Sequence, residues 1–283
     1  MMTISIRTLG EADLEIADNL LRSAFGGAAS RRFDLGLNLQ LQPDGWFLAQ
    51  QGGSPVGMVG ATIYGSYAYV GMMAVHENAQ RRGVGLALME HLLEWLAQQE
   101  IPLVVLDASP AGQPLYEKLG FVPYEDTLVY QKQAGPIRAR LTAPLSPVAP
   151  GDLRELAEFD RPIFGADRRK LLHLFYDSFP GRWFLLRDRK RSITGYLCAQ
   201  RGRIGPWISR SAATAELLLQ AALALPFEEP VSVVVPSTNP EALDLLERHG
   251  FTRVRTNRHM GRGQDAAPSQ RQIIFGQASL SLG

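Results

Sequence analysis

Apolar positions along this chain follow two alternating rhythms. Short apolar runs bounded by glycine, proline or serine have the length of strands, and between them lie segments whose apolar positions return every three or four residues, as on one face of a helix. "ISIRTLGEADLEIADNLLRSAFG" predicts a strand, a turn and a helix opened by acidic residues. "WFLAQQGGSPVGMVGATIYG" predicts two strands about a tight Gly-Gly-Ser-Pro turn, and "YAYVGMMAV" a third. The next helix carries Val84, Leu88, Leu92 and Trp95 on one face, at spacings of four, four and three. "IPLVVLDAS" reads as a buried strand and "QPLYEKLGF" as a helix ending at Gly120.

The same order returns further on. "DLRELAEFDRPIFG" echoes "DLEIADNLLRSAFG", "RWFLLRDRKRSITGYLCAQ" echoes "GWFLAQQGGSPVGMVGAT", and "LDLLERHGF" echoes "QPLYEKLGF". Three matches in one order imply two copies of one α/β module, at residues 1–133 and 151–283. The proline-rich stretch 134–150 reads as the connection. From Gly57 to Gly120 is 63 residues, but from the corresponding Gly195 to Gly250 only 55. The missing eight fall before the second copy's central helix, where the first copy has "QRRGVG" at 80–85.

Composition narrows the classes. A hydrophobic fraction of 46% supports a proper core, and a net charge of +1 gives no global footprint for nucleic acid. The basic runs "RRK" at 168–170 and "RDRKR" at 187–191 read as solvated faces or turns. The single cysteine, Cys198, excludes an intrachain disulfide and reads as a buried strand thiol. No signal-peptide core and no membrane-length apolar run is seen, so the expectation is a soluble cytoplasmic protein with no membrane partner.

A helix N-terminus presents unpaired N–H groups and partial positive charge. Gly83 and Gly85 keep side chains away from those donors, and Arg81 and Arg82 add forked cations suited to phosphate oxygens. Together they describe a phosphate or pyrophosphate cradle. A Walker loop is excluded by the absence of Gly-Lys-Ser/Thr. A dinucleotide turn fits poorly, because Leu88 holds its third glycine position and His76 to Arg82 separate the strand from Gly83.

Gln80-x-x-Gly83-x-Gly85 after "MMAVHENA", together with "PLYEKLGF", resembles the acetyl-CoA signature of the GNAT superfamily of N-acyltransferases. The resemblance implies two tandem GNAT-like modules, each a mixed, mostly antiparallel twisted sheet flanked by helices, with an intact first copy and a degenerate second one. It implies acetyl-CoA as cosubstrate, with Gln80, Arg81, Arg82, Gly83, Val84 and Gly85 about its pyrophosphate. The strand Met73 to Val75, splayed from its neighbour, would hold the pantetheine arm. Tyr116 matches the position whose hydroxyl reaches the CoA sulfur, while the second copy has Leu246 there. Ser109 stands where the family often has an asparagine, and Asn239 keeps that asparagine in the second copy.

Thioester aminolysis needs a neutral amine, a polarised carbonyl and a stabilised thiolate. Asp107, ending a strand, is a candidate to receive a proton or bind a cationic amine, with capping of the next turn as the alternative. The histidines lack metal-ligand spacing, so no metal is expected. The tyrosines of "IYGSYAYVG" could line an amine pocket or simply suit a half-buried strand. The expected activity is acyl transfer, most simply acetyl, from CoA to a small-molecule or peptide amine. A non-catalytic acyl-CoA sensor is the rival reading. The acceptor, the acyl length and the oligomeric state, a homodimer among the options, stay open.

Overall fold

The computed structural model describes residues 3–27, 29–133, 145–227, 230–263 and 269–283; the stretch 134–144 of the expected connection lies outside them. The first half contains β1 (Ile4–Thr8), α1 (Leu14–Phe25), α2 (Arg32–Leu41), β2 (Trp46–Gln51), β3 (Ser54–Ile63) and β4 (Ala68–Val75). It continues with α3 (Val84–Gln98), β5 (Leu103–Ala108), α4 (Gln113–Lys118) and β6 (Val122–Lys132). The second half contains β7 (Ser146–Pro147), α5 (Leu153–Phe164), α6 (Arg169–Ser178), β8 (Trp183–Arg187), β9 (Ile193–Ala199) and β10 (Arg203–Ser209). Then come α7 (Ala212–Leu223), β11 (Val231–Pro236), α8 (Pro240–Arg248), β12 (Thr252–Gly263) and β13 (Ile274–Gly276).

Both halves share one mostly antiparallel sheet, ordered β1-β2-β3-β4-β5-β12-β6-β11-β10-β9-β8-β7, with β13 beside β10. The closing strands are exchanged. β12 pairs with β5 of the first half, from Arg258 opposite Ala108 to Gly263 opposite Leu103. β6 pairs in turn with β11, from Val231 opposite Lys132 to Pro236 opposite Thr127. Neither half completes its sheet with its own last strand alone.

Alternation along β5 sends side chains to two faces. Val104, Leu106 and Ala108 pack with Val84, Leu88 and Leu92 of α3. Leu103 and Val105 join a layer with Tyr69, Phe164 and Leu171, to which both halves contribute. On the α7 side, Leu218 and Leu219 pack with Leu197 and Val233 in the same arrangement. Cys198 is fully buried. Arg168, expected on a solvated face, is instead buried in an ion pair with Asp160 at 2.8 Å, with Tyr196 also hydrogen-bonded to that carboxylate. A run of cations says nothing about which one finds a buried carboxylate.

Strand pairing breaks off at two matching places in the sheet. β4 and β5 run parallel and pair only over Ala68–Val104, Tyr69–Val105 and Val70–Leu106. Beyond Val70 the strands part, at a bulge where Met72 adopts a left-handed φ of 51°. In the second half β10 and β11 pair over Arg203–Ser232 and Ile204–Val233 and then part in the same way. There, however, β13 lies along β10, with Gly276 opposite Trp207 and Ile274 opposite Ile208. The second gap is filled by the chain itself.

Candidate active site

The first gap leads to the glycine stretch. After β4, His76 caps a short turn, its ring nitrogen accepting from the Asn78 N–H. Gln80 ties the loop back by donating from Nε2 to the Val75 carbonyl at 3.1 Å. Gly83 caps α3 in the left-handed region, φ 84°, with no side-chain cap. The Ala87 N–H bonds to the Gly83 carbonyl, so the N–H groups of Val84, Gly85 and Leu86 precede the first intrahelical bond. A Cβ on Gly83 would meet nothing within 4 Å, whereas one on Gly85 would stand 3.3 Å from Leu115 and 3.7 Å from Val75. The two glycines therefore differ in purpose. Gly83 sets the backbone angle and leaves the helix end open, while Gly85 lets the first turn sit against α4 and β4. Arg81 and Arg82 are exposed beside this end.

Where β4 and β5 part, a cavity of about 400 Å³ opens, lined by Met72, Met73, Asp107, Ser109 and Tyr116 among others. Met73, Asp107, Ser109 and Tyr116 thus share one cavity, with the loop from Gln80 to Gly85 following directly on β4. Ser109 caps the turn into α4, its Oγ accepting from the Gly112 N–H at 3.2 Å. The Tyr116 ring is 7% exposed and meets Phe121 edge-on, with centroids 5.9 Å apart. Burial pushes its phenol up to about 12. The phenol therefore stays protonated, a donor at any physiological pH.

Asp107 is wholly buried and strongly held. Its carboxylate accepts from Tyr69 at 2.5 Å and Thr127 at 2.6 Å, and lies 3.0 Å from Nδ1 of His259. Burial alone would raise its pKa, but hydrogen bonds from His259 and Thr127 and the charges of His259 and Arg271 bring it down to about 2. His259 comes from the exchanged β12, directly opposite Asp107. Arg271 extends the network, donating to Thr127 at 3.0 Å and pairing with Glu125. A carboxylate so well satisfied is a poor proton acceptor.

The tyrosines of "IYGSYAYVG" do not line this cavity. Tyr64 donates to the Leu282 carbonyl at 3.0 Å, Tyr67 to that of Phe164 at 3.1 Å, and Tyr69 to Asp107. Tyr64 and Tyr67 thereby bind the first half to the second, and Tyr69 does so by accepting from Gln277 at 2.9 Å. The wall is instead closed by Ser279 to Leu282, so near β4 that a Cβ on Gly71 would lie 2.1 Å from that of Ser281. Arg31 and Asp34 at the start of α2, and Arg203 and Arg255 from the second half, add charged groups to the lining. Sequence reasoning missed all of these, and for Arg203, Arg255 and Ser279 to Leu282 nothing local marks a residue delivered from the other half. Among the described residues, no group of three or more His, Cys, Asp or Glu could hold a metal, and no helix is long and apolar enough to cross a membrane.

The corresponding helix of the second half is closed. Ser211 caps α7, its Oγ accepting from the Thr214 N–H at 3.2 Å. Asn239 donates from Nδ2 to the Ile274 carbonyl of β13 at 3.0 Å.

Comparison with known proteins agrees with this architecture. Residues 15–121 match the model of the Acetyltransferase (GNAT) family, and residues 156–276 match that of an Acetyltransferase (GNAT) domain. A 96-residue stretch is 36% identical to the mycothiol acetyltransferase of Streptomyces scabiei, spanning 32% of this chain and 31% of that protein. A solved Pyrococcus horikoshii protein described as a candidate acetyltransferase superposes with a TM-score of 0.87 at 27% identity, covering 99% of this chain and 96% of its own. A tandem GNAT protein from the clavulanic acid biosynthesis pathway shares the fold, with a TM-score of 0.67 at 15% identity over 93% of this chain and 99% of its own.

Proposed function

The chain belongs to the GNAT acetyltransferase family as a tandem member, and from that premise we propose that its first half binds acetyl-CoA and transfers the acetyl group to an amine. The observation that carries the proposal is the uncapped N-terminus of α3 beside the parted strands β4 and β5. The residues fit the cosubstrate. The N–H groups of Val84, Gly85 and Leu86, with Arg81 and Arg82, suit a pyrophosphate. From Met73 to Val75 the strand pairs with β3 alone, and its other edge, facing the gap, offers hydrogen bonds to an extended amide-bearing arm.

Acetyl-CoA supplies the acetyl group and a thiol leaving group. In the reaction the amine nitrogen bonds to the acetyl carbon as the carbon–sulfur bond breaks, and the proton lost by nitrogen balances the thiolate formed. Tyr116 stands at the end of the cavity nearest α4. With its phenol near 12 and a free thiol near 8.5, full proton transfer to sulfur is uphill by about 5 kcal/mol. Its role is therefore to donate a hydrogen bond that stabilises charge building on sulfur. Asp107, with a pKa of about 2, positions the β5 end through His259 and Tyr69 and does not itself take the amine proton.

The second half does not bind a second cosubstrate. Its helix end is capped by Ser211, and β13 occupies the gap between β10 and β11. It supplies β12 and one wall of the cavity. Thiol release from acetyl-CoA with a panel of amines tests the function. The expected result is amine-dependent release, reduced about 100-fold in kcat by Tyr116→Phe with acetyl-CoA affinity unchanged. Saturable acetyl-CoA binding without turnover of any amine would contradict it.

A further inference from the structure

The charges around the cavity do not balance. Arg31 stands at the start of α2 and Arg255 on β12, and both line the cavity. Arg203, also on the wall, is occupied by Asp34 at 3.5 Å, by the Gln200 side chain at 3.1 Å and by the Ala278 carbonyl at 3.3 Å. Asp107 is engaged by its own network. That leaves Arg31 and Arg255 with no side-chain partner among the described residues. Both residues are exposed, and the two feel each other: desolvation and then the charge of Arg31 lower the pKa of Arg255, outweighing the attraction of Asp107. Two unpaired guanidinium groups facing one cavity repel, and an oxyanion between them would relieve that repulsion while meeting their forked donors.

Two buried asparagines also stand at the wall of this cavity. Asn38 and Asn257 both line it, are 1% and 4% exposed, and have side-chain carbonyl oxygens without a hydrogen-bond partner. Their amide nitrogens are already committed, Asn38 to the Met72 sulfur at 3.4 Å and Asn257 to the Asp107 carbonyl at 3.2 Å. Each oxygen is an unpaired acceptor buried behind the cavity wall, an arrangement that costs stability.

We propose that the acceptor is an amine that also carries an oxyanion, a carboxylate or a phosphate, with the anion held by Arg31 and Arg255. This assignment rests on the acetyltransferase reading and specifies its substrate class. No interaction of the first half alone would produce it, because Arg255 arrives on the exchanged strand.

Matched pairs of amines test it: amino acids against their amides, and amino-sugar phosphates against the free amino sugars, each assayed for thiol release from acetyl-CoA by the full chain. The expected result is at least tenfold higher kcat/KM for the anionic member of one of these pairs, the pair itself telling carboxylate from phosphate. Arg31→Gln and Arg255→Gln should each raise KM for that substrate at least tenfold and narrow its advantage, with acetyl-CoA affinity within twofold of the parent. Arg255→Lys should restore part of the loss. Equal or better turnover of the neutral members would overturn the assignment while leaving the acetyltransferase reading intact. Loss of acetyl-CoA affinity in either glutamine variant would overturn it too, by giving these arginines to the cosubstrate. Turnover of no amine at all would remove both.

Discussion

Tyr116 and Asp107 illustrate what a single position can and cannot disclose. Tyr116 was legible because the chain carries its own control: Leu246 fills the matching place in a half that keeps the fold. Deleting the hydroxyl in Tyr116→Phe should cost about 2.7 kcal/mol of transition-state stabilisation, a 100-fold loss, with the melting temperature nearly unchanged. Because the phenol titrates only near 12, the rate should show no alkaline decline from Tyr116 between pH 8 and 10; a loss of rate there that is absent in the Phe variant would contradict the assignment. Asp107 was found by its place at a strand end, but its partners were not, because Thr127, His259 and Gln277 come from strands and a tail far away in sequence. Its depressed pKa stabilises the fold at any pH above the ordinary carboxylate range, by about 2 kcal/mol, and this contribution is lost as pH falls from about 4 to 2. Asp107→Asn should therefore lower the melting temperature at pH 7 and flatten its fall below pH 4. An unchanged melting curve would show that the network contributes nothing.

At the level of elements, the helical and strand periods marked most of the first half, including α3 with Val84, Leu88 and Leu92 turned to the sheet. The short β13 escaped notice because three residues carry too little pattern to be read. Its role follows only from its neighbours. The contrast between α3, whose end is open at Gly83, and α7, closed by the Ser211 hydroxyl, was half legible, as the absence of a glycine loop in the second copy. It gives a test that separates stability from binding. Gly83→Asp would put a carboxylate into open space at the start of α3, where a side-chain cap commonly contributes about 1 kcal/mol. Aspartate is also among the residues that best tolerate the left-handed angle there. The fold should be kept, with the melting temperature within a few degrees, while acetyl-CoA affinity falls at least tenfold, about 1.4 kcal/mol. Equal affinity in the folded variant would remove the pyrophosphate from this helix end.

Across the whole molecule, the repeat was visible in the sequence and the exchange of its closing strands was not. The hydrophobic pattern of β6 or β12 is the same whichever neighbour it pairs with, and only the three-dimensional order places β12 between β5 and β6. The exchange has a thermodynamic consequence. With β12 in the first half's sheet and β6 against β11, the halves should unfold together. Fluorescence from Trp46 in the first half and Trp207 in the second, each isolated by replacing the other tryptophans, should give coincident denaturation midpoints; two separated transitions would show independent halves. The exchange also explains why one cavity draws on both copies, with Tyr116 from the first and Arg255 from the second. One open helix end beside one open gap, and one closed end beside a gap filled by β13, are the grounds for proposing a single cosubstrate site. Calorimetric titration of the intact chain with acetyl-CoA measures this directly. One equivalent should bind per chain, and Gly83→Asp should abolish or sharply weaken that binding. Two equivalents, or one that survives Gly83→Asp unchanged, would contradict it.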